Sequence, residues 1–330
     1  MKKVLAFLAM AALLLGACNK PAGGDDPNDK PDTPEVPDNP QDPEDPEEPE
    51  LPKEIDVAGD ALVAWLPMDD AATVNVGGLT LESQGPGTEA NFVEGRRGKC
   101  YQGTENSYLL YNLPAGSPLL SLKAMSISMW LKHARVAGTP VPMVFQLTGG
   151  DDPLWGNFAL ASDRMADDWI TWKVQWQVGT YGHIWKVTDQ AYLDEELGVN
   201  VYPWANVFPA NRWNHIIWCY EPSVMVTDEE TSETYQTSQF HCYVNGIDVT
   251  PDSYVWCMRA EKTAFGDLAF IDGGQLIIGG WYAKVVNGKK DSWMGDFHEG
   301  AVDEIRVFSR SLTADEAKAL YDAEVDHMNE

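Results

Sequence analysis

From residue 55 onward the chain is a series of short runs in which apolar and polar positions alternate, separated by clusters of Gly, Pro, Asn and Asp. In "MSISMWLK", Met125, Ile127, Met129 and Leu131 fall on one face, with Ser126, Ser128 and Lys132 opposite. In "TWKVQWQV", Trp172, Val174, Trp176 and Val178 oppose Lys173, Gln175 and Gln177. A period of two places successive side chains on opposite faces of a strand, so each run predicts a strand with one buried face. Further strands are expected in "ALVAWLPM", "KCYQGTENSYLLY", "PMVFQLT", "NFALAS", "WNHIIWCYEP", "FHCYVNGIDV", "GQLIIGGWY" and "GAVDEIRVF". Many short strands with turn signals between them and few helices predict an all-β antiparallel sandwich or barrel. Asn245-Gly246 between two strand runs predicts a tight type I′ hairpin. One helix is expected, at the end. In "SLTADEAKALYDAEV", Thr313 can cap and Glu316 can reach back to it, and Ala317, Leu320 and Tyr321 form the apolar stripe.

The first 54 residues follow another logic. Two lysines precede an apolar run from Val4 to Leu15, too short for a comfortable membrane span and suited to a signal peptide over residues 1–17. Leu15-Gly16-Ala17-Cys18 resembles the lipobox of bacterial lipoproteins. That resemblance implies lipid on the Cys18 sulfur and a membrane as partner through the anchor. Asn19 after it fits outer-membrane sorting, with the surface-exposed face expected and the periplasmic face as the alternative. Residues 18–54 then form an acidic tether. Between residues 19 and 54 there are ten prolines, 13 acidic and three basic residues, and almost nothing to bury. A proline stands at every third position from Pro31 to Pro52. Polyproline II has three residues per turn, so the prolines line one edge and the carboxylates repel one another along the others. At about 3.1 Å per residue this stretch reaches roughly 70 Å.

The acidity extends past the tether. The chain has a net charge of −28, and residues 55–330 alone carry 38 acidic against 18 basic side chains. Such a surface repels phosphate backbones, which argues against nucleic acid as a partner. With Cys18 lipidated, Cys100, Cys219, Cys242 and Cys257 remain, and Cys219 and Cys242 on successive strands either bridge or sit as buried thiols.

"SISMWLK", "RWNHIIWCY", "FHCYVNGIDV", "LIIGG" and "GAVDEIRVFSRSLTADEAKALY" occur in that order, after the opening "LVAWLPMDD". Together they resemble the successive landmarks of laminin-G-like, concanavalin A-like jelly-roll domains, over about residues 60–322. The resemblance implies two packed antiparallel sheets across 55–330, in a family whose members mostly bind glycans or proteins or accompany enzymes. The chain departs from the compact pattern at residues 150–212, which are rich in Trp and Tyr, and at the acidic insert "VTDEETSETYQTS", expected as a solvated hairpin tip.

No paired carboxylates in the E-x-D-x-x-E arrangement of related hydrolases occur, nor any G-x-S-x-G, H-E-x-x-H or P-loop, so a non-enzyme is expected. His215 occupies a strand position suited to a structural role. Asp303 shares strand parity with Ile305 and Val307, and a buried carboxylate needs hydrogen bonds or a cation. Ca²⁺ held by Asp303 with Asp69 or Asp70 is one expectation, and backbone N–H donors to Asp303 are the other. All 13 tryptophans lie in the globular part, eight of them between 155 and 218. Trp172 and Trp176 read as core. Trp155, Trp185 and Trp204, in irregular Gly-, Asp- and Pro-rich stretches, read as exposed rings for sugar faces, with "DDPLWGN" as the first choice of site loop. The expected function is a lipid-anchored envelope protein that binds a glycan through loop aromatics without catalysis. A protein-binding adhesion or structural surface protein is the alternative, and a glycoside-active enzyme ranks third.

Overall fold

The computed structural model describes residues 55–133, 141–149, 156–166, 169–178, 181–188, 192–194, 199–201, 211–227, 231–250, 266–270, 273–289, 291–297 and 300–325. All belong to the compact unit Pro52–Glu330. The signal peptide, Cys18 and the tether lie outside the described residues.

The strands are β1 (Leu62–Leu66), β2 (Thr80–Gln84), β3 (Phe92–Glu94), β4 (Lys99–Gln102), β5 (Leu109–Asn112) and β6 (Met125–Lys132). They continue as β7 (Val141–Leu147), β8 (Phe158–Ala166), β9 (Trp169–Val178), β10 (Tyr181–Thr188), β11 (Tyr192–Asp194) and β12 (Val199–Val201). The last are β13 (Trp213–Thr227), β14 (Thr234–Val244), β15 (Ile247–Asp248), β16 (Gln275–Ile278), β17 (Met294–Gly295) and β18 (Ala301–Phe308). Among the described residues the helices are α1 (Tyr282–Val285) and α2 (Ala314–Val325), with three short 3-10 turns.

Two eight-stranded sheets form a jelly-roll sandwich. The first runs β15-β14-β13-β6-β18-β4-β3, with β1 pairing β18. The second runs β10-β9-β8-β7-β16-β5-β2, with β17 alongside β7 in parallel. Their facing sides make one core. Ile127, Met129 and Leu131 of β6, Trp218 and Tyr220 of β13, and Val302, Ile305 and Val307 of β18 meet Tyr111 of β5, Phe145 and Leu147 of β7, Phe158 and Leu160 of β8, and Leu276 and Ile278 of β16. Trp172 and Val174 enter the same core, as the alternation along β9 requires.

Several runs were cut differently from expectation. "KCYQGTENSYLLY" is two strands, β4 and β5, in opposite sheets. Asn106 at φ 62 and the bond from Ser107 N–H to Thr104 O turn the chain between them. "GQLIIGGWY" stops as a strand at Ile278 because Gly279, at φ 80, turns out of it, and a Cβ there would meet the Tyr101 hydroxyl at 2.8 Å. β13 runs past Pro222 to Thr227, and its far end pairs with β14 from Thr234, so the acidic insert does form hairpin arms. Asn245 and Gly246 have φ values of 51 and 75, as a type I′ turn demands.

A second small core lies outside the first sheet. Ile217, Cys219, Tyr243 and Phe308 turn outward and pack on Leu312, Ala317 and Leu320 at and within α2. This roof explains why Ser126 and Ser128, on the polar face of β6, are fully buried. Ser126 accepts from Leu312 N–H at 2.9 Å and donates to Arg310 O at 2.8 Å, stitching the strand to the approach of the helix. Thr313 and Glu316 form the expected capping box, with N–H to side-chain bonds of 3.0 and 3.2 Å. Arg310 binds both oxygens of Glu316 at 2.7 Å and holds its carboxyl down at about 2. Cys219 belongs to the outer core and Cys242 to the inner one, so the two thiols point to opposite faces of the sheet and do not bridge.

The roof is locked by charge. Arg306 of β18 binds Glu324 of α2 through Nη1 and Glu304 through Nη2 at 2.6 Å, with all three side chains at most 3% exposed. Glu324 also accepts from Trp130 Nε1 at 2.5 Å and lies 3.3 Å from His215 Nε2. Burial pushes the His215 imidazole down to about 3, so it is neutral, and Ser128 Oγ sits 2.7 Å from its Nε2. Removing one partner strands the other charge in a dry site. Glu324→Ala is therefore expected to cost about 3–5 kcal/mol in urea unfolding. Lys318→Ala, which breaks the exposed Lys318–Asp322 pair, should cost less than about 1 kcal/mol. Equal losses for the two variants would contradict the lock.

Candidate functional site

Around β18 the structure gathers buried charges in an arrangement that a two-residue period does not foresee. Between Asp303 and Arg306 the register shifts, and Glu304 has φ 51. This bulge adds one residue to the strand. Val302, Ile305 and Val307 then face the core, while Asp303 pairs with Trp130 and Arg306 with Ser128. The expectation that Asp303 shares the core face with Ile305 and Val307 is thus overturned by one inserted position.

Asp303 is fully buried, and its Oδ2 accepts the N–H groups of Arg96 and Arg97 at 2.8 and 3.0 Å. Gly95 and Gly98 shape the turn that delivers these donors. A Cβ at Gly95 would sit 2.6 Å from Cys100 N and 2.7 Å from Asp303 Oδ2, and Gly98 has φ 67. Among the described residues Asp303 Oδ1 has no hydrogen-bond partner. Burial above all, then the Glu304 and Asp69 carboxylates, raises the Asp303 carboxyl to about 8 against the two N–H bonds. Burial also raises Glu304, opposed by the guanidinium groups of Arg306 and Arg97. Trp65 of β1 closes the group: its Nε1 donates to Glu304 Oε2 at 2.8 Å, and Arg306 and Arg97 stand 4.8 and 5.9 Å from its ring centre.

The other two acids of the Ca²⁺ expectation are engaged in the same manner. Asp69 accepts from Lys99 N–H at 2.7 Å. Asp70 accepts from Ala72 N–H, Thr73 N–H and the Thr73 hydroxyl at 2.7, 2.7 and 2.8 Å. Ca²⁺ takes six to eight oxygens. Among the described residues no group of three or more His, Cys, Asp or Glu side chains is placed to hold a metal. Asp69, Asp70 and one oxygen of Asp303 thus accept backbone N–H groups, while the other Asp303 oxygen has no hydrogen-bond partner among the described residues.

The aromatic expectations divide. Trp155 and Trp204 lie outside the described residues. Trp185 falls on β10, the edge strand of the second sheet, in register with Val174 of β9, and not on an irregular stretch. Two tryptophans passed over by periodicity now stand out. Trp281 is fully buried on the outer side of the second sheet, against Met143, Ala159, Ala161 and Met294, with Nε1 bonded to Val141 O at 2.8 Å. Trp293 packs edge-to-face on it, with ring centres 5.0 Å apart, yet remains 38% exposed. Their only signal in the sequence was the Gly-, Lys- and Asp-rich setting of Trp293.

The buried acids generate a pH test. Asp303 releases its proton at about 8 in the fold and at roughly 3.9 in an unfolded chain. Its protonated form thus contributes fully below about pH 4, and that contribution is lost as pH rises toward 8. Asp303→Asn keeps an oxygen for the two N–H donors and cannot ionise. Its urea midpoint should fall less between pH 5 and pH 8 than that of the parent, and parallel profiles would refute the assignment. Ca²⁺ and chelator should leave the melting temperature of the parent unchanged.

No family model matches the chain, and no curated protein matches it. Solved structures that align with it include the botulinum neurotoxin serotype D binding domain, at 13% identity and TM-score 0.46, covering 80% of this chain and 52% of that one. A receptor-binding domain aligns at 9% identity and TM-score 0.47, covering 82% and 52%. A structure described under cell entry of botulinum neurotoxin type C, dependent upon interaction with two ganglioside molecules, aligns at 9% and 0.46, covering 81% and 52%. The chain spans about half the length of each. With TM-scores below 0.5, these likenesses leave the family of the chain unassigned.

Proposed function

We propose that the chain is a lipid-anchored cell-envelope module, of the laminin-G-like kind its sequence resembles, that binds a glycan without catalysis. The observation that carries this reading is the covering of the sandwich by its own chain. α2 roofs the first sheet, and the segment from Trp281 to Met294 roofs part of the second. Ligand contact is thereby left to edges, loops and the outward-facing groups of the roofs. The aromatic-rich stretch that departs from the compact pattern adds β8, β9 and β10 to one edge of the second sheet. Trp155, Trp185 and Trp204 belong to it. Flat rings beside hydroxyl-binding polar groups are the chemistry of sugar recognition.

A hydrolytic role finds no support in the buried acids. Glycosidases flank the scissile bond with two carboxylates, whereas Asp303 and Glu304 are 0% and 2% exposed and bound to the chain's own donors. Cys18 and the proline ladder supply the reach: a stiff acidic spacer holds the module off the membrane.

The full chain in detergent, screened on a glycan array, is expected to bind, and the double variant Trp155→Ala, Trp204→Ala is expected to bind more weakly. No binding to any glycan, together with retention of a surface protein, would favour the adhesion reading. On intact cells, replacing Pro31–Pro52 by a short flexible linker should reduce capture of large glycans while leaving capture of short oligosaccharides intact. Unchanged capture of large glycans would deny the ladder its role.

A further inference from the structure

One exposed aromatic in the structure has the surroundings of a ligand contact. Trp293 sits on the roof of the second sheet, in the turn closed by Met294 N–H to Asp291 O at 3.1 Å. Its backbone is fixed to the sheet, since Trp293 O accepts from Val141 N–H at 2.8 Å. Its ring is fixed by the edge-to-face contact with Trp281, which is itself buried and hydrogen-bonded to Val141 O. A large apolar ring with 38% of its surface in water gains little for the fold from its free part. Holding it rigid there removes much of the ordering cost of binding a partner.

Polar groups of both kinds lie within four positions of Trp293 in the chain. Lys289 Nζ and Asp291 Oδ2 pair at 3.2 Å, with the two side chains 41% and 38% exposed. Ser292, between Asp291 and Trp293, is exposed. A solvent-exposed ion pair contributes only about 0–1 kcal/mol, so a ligand can open it cheaply. Opened, it offers an ammonium donor four residues before the ring and a carboxylate acceptor two residues before it. A sugar hydroxyl donates and accepts, and a hexopyranose ring presents an axial C–H face beside such hydroxyls. A uronic or sialic acid would meet Asp291 and a chain of net charge −28, which favours an uncharged sugar.

We infer that Trp293, with Lys289, Asp291 and Ser292, forms a contact site for a neutral hexopyranose unit of a glycan, apart from the edge that carries Trp185. The inference rests on the glycan-binding reading and locates a contact within it. The test uses the full chain and four variants on an array of neutral and acidic oligosaccharides, with the tightest neutral hit followed by calorimetry. Trp293→Ala should weaken binding roughly tenfold, the worth of an aromatic stacking contact. Trp293→Phe should restore part of it, and Asp291→Asn and Lys289→Ala should each weaken it severalfold. Melting curves and near-ultraviolet circular dichroism report whether a variant keeps the fold. Neutral glycan bound equally by the parent and a folded Trp293→Ala would overturn the site while the glycan-binding reading stands. Acidic glycans bound alone would overturn the ligand class. No binding by the parent to any glycan would overturn the reading and the site together.

Discussion

Arg306 is the charge around which the outer layer of the first sheet is organised. Buried beside Trp65, it bridges Glu304 on its own strand and Glu324 on the last helix. Each connection solves a problem that another creates. Glu304 is turned outward by a left-handed residue in a central strand, and Arg306 and Trp65 accept the charge that this turn buries. Glu324 brings α2 down, and α2 covers Ser126, Ser128 and His215; Ser126 donates to Arg310 O, and Ser128 Oγ meets His215 Nε2. The desolvation cost of such a group is high, so its geometry is specified more strictly than apolar packing alone would specify it.

This polar layer also limits where recognition can occur. In an antiparallel sandwich one sheet face commonly meets water. Here α2 takes that face of the first sheet and the Trp281 segment takes part of it on the second. The roofs differ in kind. The first is closed by buried ion pairs and a capped helix. The second is a single helical turn with an aromatic pair, Trp281 inward and Trp293 outward, and it leaves polar groups in water.

Much of the architecture was readable from the sequence because it is local. The alternation in β6 and at Trp172 and Val174 of β9, the Asn245-Gly246 turn and the Thr313–Glu316 cap depend on neighbours within a few positions, and each formed as expected. What was hidden depends on distant groups. Glu304 is not a residue that favours positive φ, so nothing near it announces the bulge; Arg97, Trp65 and Arg306 make it tenable. The bulge is also why the period of two puts Asp303 on the wrong face. β4 and β5 are separated by only six residues and enter different sheets, which no periodicity within "KCYQGTENSYLLY" distinguishes. The tryptophans follow the same rule. Alternation placed Trp172 in the core, whereas Trp281 and Trp293, in an irregular segment, were sorted into buried and exposed only by the sheet beneath them.

The pairing of β1 with β18 gives the domain a timetable. Trp65 and Glu304 are 239 positions apart, and Trp130 and Glu324 are 194 apart. Such contacts form only after a long loop has closed, which slows folding. A chain emerging from its amino terminus displays Trp65, Trp130 and His215 well before Glu304, Arg306 and Glu324 exist to receive them. The acidic partners arrive last, so the finished polar layer is a mark that synthesis has reached the final helix.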